Sequence, residues 1–202
     1  MLSTTSSAPY IDTWYDSDTR FNDLYPVPIQ LLALRHWTPL HITRSVAQYL
    51  APTEHCKILD VGSGVGKFCL TAAHYMPSAV FFGVEQRRDL VMHAETARTI
   101  LGLKNTHFIH ANFTQLDFRQ YDHFYFYNSF YENLVATDKI DDSIAYSTEL
   151  YNYYNRLMYK KLDAMSVGTR LVTFHSLEEE VPPAFHLVEA HAEGLLKFWI
   201  KT

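Results

Sequence analysis

Three glycines at alternate positions, Gly62, Gly64 and Gly66, follow directly on the apolar run KILDV (57–61) with its acid, Asp60. Glycine at such places lets the main chain turn sharply and lets a ligand approach the backbone with no side chain between them. The spacing is G-x-G-x-G and not the G-x-G-x-x-G of the usual dinucleotide fingerprint, and alone it also fits a tight turn with no ligand. A second acid, Glu85, ends the next apolar run, AVFFGV (79–84), where a carboxylate can accept hydrogen bonds from both hydroxyls of a ribose. Asp60 suits a nearby ammonium and would repel a pyrophosphate. Farther along, Asn128, Ser129, Phe130 and Tyr131 follow the run HFYFY. An amide oxygen and a neighbouring carbonyl there can accept the N–H groups of an amine and aim its lone pair, while Phe130 or Tyr131 can stack on a ring or a cation. Capping of the following turn is the competing role for Asn128.

These residues need strands that end together. KILDV, the glycine turn and the helical KFCLTAAHYM read as strand, turn, helix, and AVFFGV followed by RRDLVMHAETARTILGL repeats the pattern and stops near Gly102. THFIHANF and HFYFYN are two further strand-like runs, SIAYSTELYNYYNRLMYKKLDAM (143–165) is helical in length and period, and TRLVTFHS is a fifth strand. AFHLVEAH and LLKFWIK, joined across Ala192, Glu193 and Gly194, predict an antiparallel hairpin closing one edge. Strands alternating with helices at this spacing predict a parallel sheet with helices on both faces, an α/β doubly wound fold. Upstream, LLALRHW and ITRSVAQYL are two helical patterns divided by Thr38-Pro39. Residues 1–23, rich in Ser, Thr and Asp, read as a flexible arm, and 24–202 as one domain.

Composition bounds the rest. The 202 residues, 48% hydrophobic and 19% charged, fit one globular domain with a continuous core. Cys56 and Cys69 have no metal-ligand spacing and make no disulfide framework, which favours a reducing compartment. No run reaches the roughly 20 apolar residues of a membrane span, and the first residues lack signal-peptide order, so a cytoplasmic location without membrane attachment is expected. A net charge of −5 gives no strong nucleic-acid signal, and Arg87 and Arg88 read as exposed charges at a helix start. The 11 histidines match no zinc spacing, so no metal is expected; His36, His41 and His175 read as packed or exposed side chains.

ILDVGSGVGKFCL and FFGVEQ resemble the first two motifs of the class I S-adenosylmethionine-dependent methyltransferases, and LVEAHAEGLLKFWIK is similar to the antiparallel strands that close their seven-stranded, Rossmann-like sheet. LDVGSGVGKFCLTAA, GVEQ and the Thr-Pro of RHWTP resemble Dot1-like histone-lysine methyltransferases within that class. The resemblance implies S-adenosylmethionine as cofactor and S-adenosylhomocysteine as product. It places Asp60, Gly62 and Gly64 along the methionine portion, with Ser63 and Gly66 completing the turn and Thr38 closing over it. Glu85 would hold the ribose, Gln86 would flank the adenine, and Asn112 with Phe113 stands where the family has Asp-Phe. Asn128-Ser129-Phe130-Tyr131 is similar to the Asn-Pro-Pro-Tyr of nitrogen methylating enzymes, without the proline, which makes Asn128 and Tyr131 the candidate catalytic residues and a nitrogen the expected acceptor. Glu132 and Tyr131 are both candidates for removing a proton. Protein lysine, a small amine and a nucleobase all remain open as acceptors. A non-catalytic module of the same fold and a nicotinamide-dependent oxidoreductase are the rivals, the latter disfavoured by Asp60 and by the lack of a Tyr-x-x-x-Lys pair.

Overall fold

The computed structural model describes residues 12–134, 139–176 and 178–202. Seven strands, β1 (Lys57–Val61), β2 (Val80–Glu85), β3 (Thr106–His110), β4 (His123–Tyr127), β5 (Arg170–Phe174), β6 (Phe185–His191) and β7 (Leu196–Lys201), form one sheet in the order β3-β2-β1-β4-β5-β7-β6. The first five run parallel, and β7 pairs antiparallel with β5 and β6. The expected doubly wound sheet with its C-terminal hairpin is therefore present. The hairpin turns through Ala192 and Glu193, both at positive φ, and Gly194, and a bulge lies between Leu187 and Glu189.

Among the described residues seven α-helices accompany the sheet, with short 3-10 turns between: α1 (Asp18–Asn22), α2 (Val27–Gln30), α3 (Ala33–His36), α4 (Leu40–Leu50), α5 (Lys67–Tyr75), α6 (Arg88–Leu101) and α7 (Thr148–Asp163). Because side chains alternate across a strand, β4 feeds both halves of the core. Tyr125 packs with Val46, Leu50, Cys69 and Phe81 on the face covered by α4 and α5. Phe124 and Phe126 pack with Met158 and Leu162 of α7 on the other. Helix ends follow local chemistry: Gly102, at φ 65°, closes α6, and the Ser147 hydroxyl accepts the Leu150 N–H at the start of α7. Pro39 caps α4, as the Thr-Pro division suggested.

Part of the expected arm, residues 12–23, is described. Residues 1–11 lie outside the described residues; a 3-10 turn over Asp12–Tyr15 and the short helix Asp18–Asn22 follow. Phe21 is fully buried, and the Asp18 carboxylate and Asn22 amide oxygen accept hydrogen bonds from the buried Lys67 ammonium at 2.5 and 3.0 Å. Polar composition concealed this because Phe21, the one fully buried residue of the segment, packs between Tyr15 and Tyr25, while the ammonium that Asp18 and Asn22 hold lies more than forty positions away. Among the described residues no helix is long and apolar enough to cross a membrane, and no group of His, Cys, Asp and Glu is placed to hold a metal ion.

Candidate active site

The register of β1 against β2 pairs Val61 with Val84, which sets the glycine bend abreast of Glu85. The Glu85 carboxylate, 5% exposed, accepts the Gly64 N–H at 3.1 Å and the Arg87 N–H at 2.9 Å. Burial raises its pKa, while the Arg87 N–H and guanidinium and the Gly64 N–H pull it back. A cavity of about 640 Å³ opens beyond the carboxyl ends of β1, β2, β4 and β5, the place where open α/β sheets bind ligands.

Of the residues singled out in the sequence, Gly62, Gly64, Glu85, Gln86, Phe113, Asn128 and Tyr131 line this cavity. Gly64 shows why the bend is bare: at φ 53° it has nothing within 4 Å of where a Cβ would stand, so its backbone is open to the cavity. At the other end, Phe113 stacks on Phe130 with centroids 5.0 Å apart and meets Tyr154 edge-on at 5.5 Å. The result is an aromatic wall suited to a flat base. An open backbone, a fixed carboxylate and an aromatic wall fit the sugar and base of an adenosine.

The structure sets the other five predicted residues outside the lining. Thr38 is buried, its hydroxyl paired with the Tyr125 hydroxyl at 2.7 Å, and Trp37 faces the cavity beside it. Asp60, 3% exposed, lies beneath the bend with the Cys69 thiol at 3.7 Å, and burial lifts its pKa to about 8. Ser63 folds back over Gly83, where an added Cβ would come within 2.6 Å of its oxygen. Gly66, at φ 80°, leaves room for the Phe108 ring, which an added Cβ would meet at 2.4 Å. Asn112 spends its amide locally: the oxygen accepts the Thr114 N–H and the nitrogen donates to Gln86 and to the Tyr154 hydroxyl.

Gly62 also answers to packing, since a Cβ there would fall 2.1 Å from the Ser129 Oγ, which donates to the Val61 carbonyl at 2.8 Å. Ser129, standing where the resembling enzymes have proline, thus ties the end of β4 to the bend. A contrast between two neighbouring glycines follows. Gly62→Ala is expected to lower stability by about 2 kcal/mol through the clash and its positive φ. Gly64→Ala should cost only about 1 kcal/mol of backbone strain yet place a methyl in the cavity and weaken S-adenosylhomocysteine binding. Thermal unfolding with and without that ligand reads both, and equal ligand-induced shifts in the two variants would refute the contrast.

Sequence reasoning missed Arg87. It is 6% exposed, and its guanidinium donates to Glu132 and the Tyr146 hydroxyl at 2.6 Å each, to Asp141 at 3.3 Å and to Glu85 at 3.4 Å. Burial opposes its charge, but Glu132, Glu85 and Tyr146 outweigh that and raise its pKa. Arg88, by contrast, is exposed as expected. Glu132 accepts from Arg87, Tyr146 and the Ile140 N–H, all through Oε2. The only local signal for Arg87 was its place two residues after Glu85.

A parallel five-stranded sheet extended by an antiparallel pair, with a bare glycine bend facing an acid at the end of β2, defines the class I S-adenosylmethionine-dependent methyltransferases. The chain belongs to the methyltransferase-domain family, whose model matches residues 52–157. It is similar to a tRNA (guanine-N(7)-)-methyltransferase of Synechococcus sp. (strain JA-2-3B'a(2-13)), 38% identical over 98 residues that cover 43% of this chain and 41% of that protein. The tRNA (guanine-N(7)-)-methyltransferase of Nostoc sp. (strain PCC 7120) is 35% identical over 81 residues, 40% of this chain and 36% of that one. The match thus spans less than half the length of these relatives. The fold is shared with TrmN from Thermus thermophilus (TM-score 0.61, 17% identity, 86% of this chain and 52% of that one). It is shared too with an RNA methyltransferase from Salinibacter ruber in complex with S-adenosyl-L-homocysteine (TM-score 0.53, 18% identity, 87% and 90%). The Dot1-like likeness has no counterpart among these relatives.

Proposed function

We propose that this chain transfers a methyl group from S-adenosylmethionine to a ring nitrogen of a nucleobase, with guanine N7 in RNA as the leading acceptor. The observation carrying the methyl-transfer reading is the Gly64–Glu85 contact at the wall of the cavity. The nucleobase reading is supported by the relatives, named as tRNA (guanine-N(7)-)-methyltransferases. The bound cofactor supplies a methyl on a sulfonium: the acceptor nitrogen forms the new C–N bond as the C–S bond breaks and its electron pair returns to sulfur.

In this reading Glu85 accepts from the ribose hydroxyls with the lone pairs its backbone donors leave open. Gly62 and Gly64 admit the methionine portion. Phe113, Phe130 and Tyr154 flank the adenine with Gln86, and Asn128 faces the reacting methyl. Asn112 acts at one remove, holding Gln86 and Tyr154 in place. Guanine N7 carries no hydrogen, so its attack needs alignment and no base, in keeping with a Glu132 already engaged by Arg87. The test is incubation with methyl-labelled cofactor and either bulk tRNA or extract protein, followed by digestion of the RNA to nucleosides. Label in 7-methylguanosine is expected. Label confined to protein lysine, or no label with S-adenosylhomocysteine bound, would refute it. Asn128→Ala should keep the affinity for S-adenosylhomocysteine and lose product formation.

A further inference from the structure

Two non-glycine residues stand side by side with left-handed backbones at the mouth of the cavity: Asn128 (φ 30°) directly after β4, and His175 (φ 59°) directly after β5. The pairing of Tyr127 with Phe174 in the sheet sets them abreast, and the Asn128 Nδ2 donates to the His175 carbonyl at 2.8 Å. Each such backbone costs about 1 kcal/mol or more that glycine would avoid, and strain of this kind collects at functional sites. The Asn128 amide secures the pair of turns through its bond to the His175 carbonyl, which leaves the His175 side chain as the one the turns do not explain.

The His175 ring is well placed for contact with a ligand. The residue is exposed and lines the cavity. Its ring lies nearly parallel to Tyr127, at 21° with centroids 5.5 Å apart, and Tyr127 in turn packs on Phe174 at 4.6 Å. Tyr127 is itself fixed by donating its hydroxyl to the Arg35 carbonyl at 3.2 Å. The ring nitrogens of His175 make no hydrogen bond among the described residues, so no polar partner there claims the ring and its aromatic face is what the site offers.

We propose that His175, backed by Tyr127, is the acceptor-positioning residue of this site, the ring on which a planar nitrogen heterocycle stacks while it meets the methyl beside Asn128. The inference rests on the nucleobase reading above and names the residue that recognises the base. Partial burial lowers the pKa of His175 and so favours its uncharged form, and an uncharged aromatic face stacks on any base without hydrogen-bond readout.

The test compares wild type, His175→Ala and His175→Phe, each loaded with S-adenosylhomocysteine and titrated with guanosine by saturation-transfer NMR. Kinetics of tRNA methylation are measured in parallel. His175→Ala is expected to weaken guanosine binding and raise KM for tRNA about tenfold, with kcat and S-adenosylhomocysteine affinity little changed, and His175→Phe to restore both. Unchanged binding and KM in His175→Ala overturn the inference and leave the nucleobase reading standing. A His175→Phe variant as impaired as His175→Ala also overturns it, because the imidazole would then act through its nitrogens. A wild type that binds S-adenosylhomocysteine but neither binds guanosine nor methylates tRNA removes the nucleobase reading and this inference together. Should the alanine variant fail to fold, His175→Gly relieves the left-handed backbone, removes the same ring and carries the same expectation.

Discussion

Exchanging Arg87 for methionine is expected to lower the unfolding free energy by about 3 kcal/mol, because it leaves buried carboxylates without the cation that compensates them. Glu85 and Glu132 are mostly buried, and Arg87 donates to both, with the Tyr146 hydroxyl and Asp141 completing the ring of partners. Glu85 keeps its two backbone donors, but Glu132 keeps only Tyr146 and the Ile140 N–H. Arg87 lowers the pKa of Glu85 and of Asp141, so its removal raises both, and the penalty is largest above those pKa values and shrinks as pH falls and the two carboxylates take up protons. Urea unfolding at pH 5 and pH 8 measures this, and a loss that does not shrink at the lower pH would count against it. The double variant Arg87→Met/Glu132→Gln should be less damaged than the sum of its singles, since both remove one contact. Cofactor affinity should fall in the single variant as well, because Glu132 and Tyr146, which line the cavity, lose their tie to the end of β2.

Asp60→Asn is expected to do the reverse and stabilise the ligand-free protein at neutral and higher pH. Burial lifts the Asp60 pKa from 3.8 to about 8, so between those values the folded chain holds a proton that the unfolded chain has released. Stability contributed by that proton is complete below the unfolded pKa and is lost as pH rises, by at most about 1.4 kcal/mol per pH unit. Asparagine is neutral at every pH, close in shape, and still offers an oxygen to the Cys69 thiol. The advantage of the variant over wild type should therefore grow steadily from pH 5 to pH 8 in urea unfolding. Parallel pH profiles would show that Asp60 is ionised in the folded protein and that water reaches it.

Much of the architecture was written in short stretches of the sequence. KILDV, AVFFGV and HFYFY are near-continuous apolar runs because a central parallel strand is covered on both faces, and the sheet order of the class follows once the closing hairpin LVEAHAEGLLKFWIK is recognised. Gly62, Gly64 and Glu85 were legible for the same reason: each takes its position from its own strand's end. The tertiary structure alone decided what touches what beyond the strand ends. Gly66 and Gly62 look alike in sequence, yet one yields to the ring of Phe108 and the other to the hydroxyl of Ser129. Arg87 looks like a helix-start surface charge until β4, lying next to β1, brings Glu132 and Tyr146 to it from 45 and 59 positions away. Asn112 and Thr38 carry side chains of the right type, but nearer hydrogen-bond partners claim them first. Local pattern determines where a strand ends and a turn must be bare; only the packed sheet determines which distant side chains arrive there and whether their polar atoms are already taken.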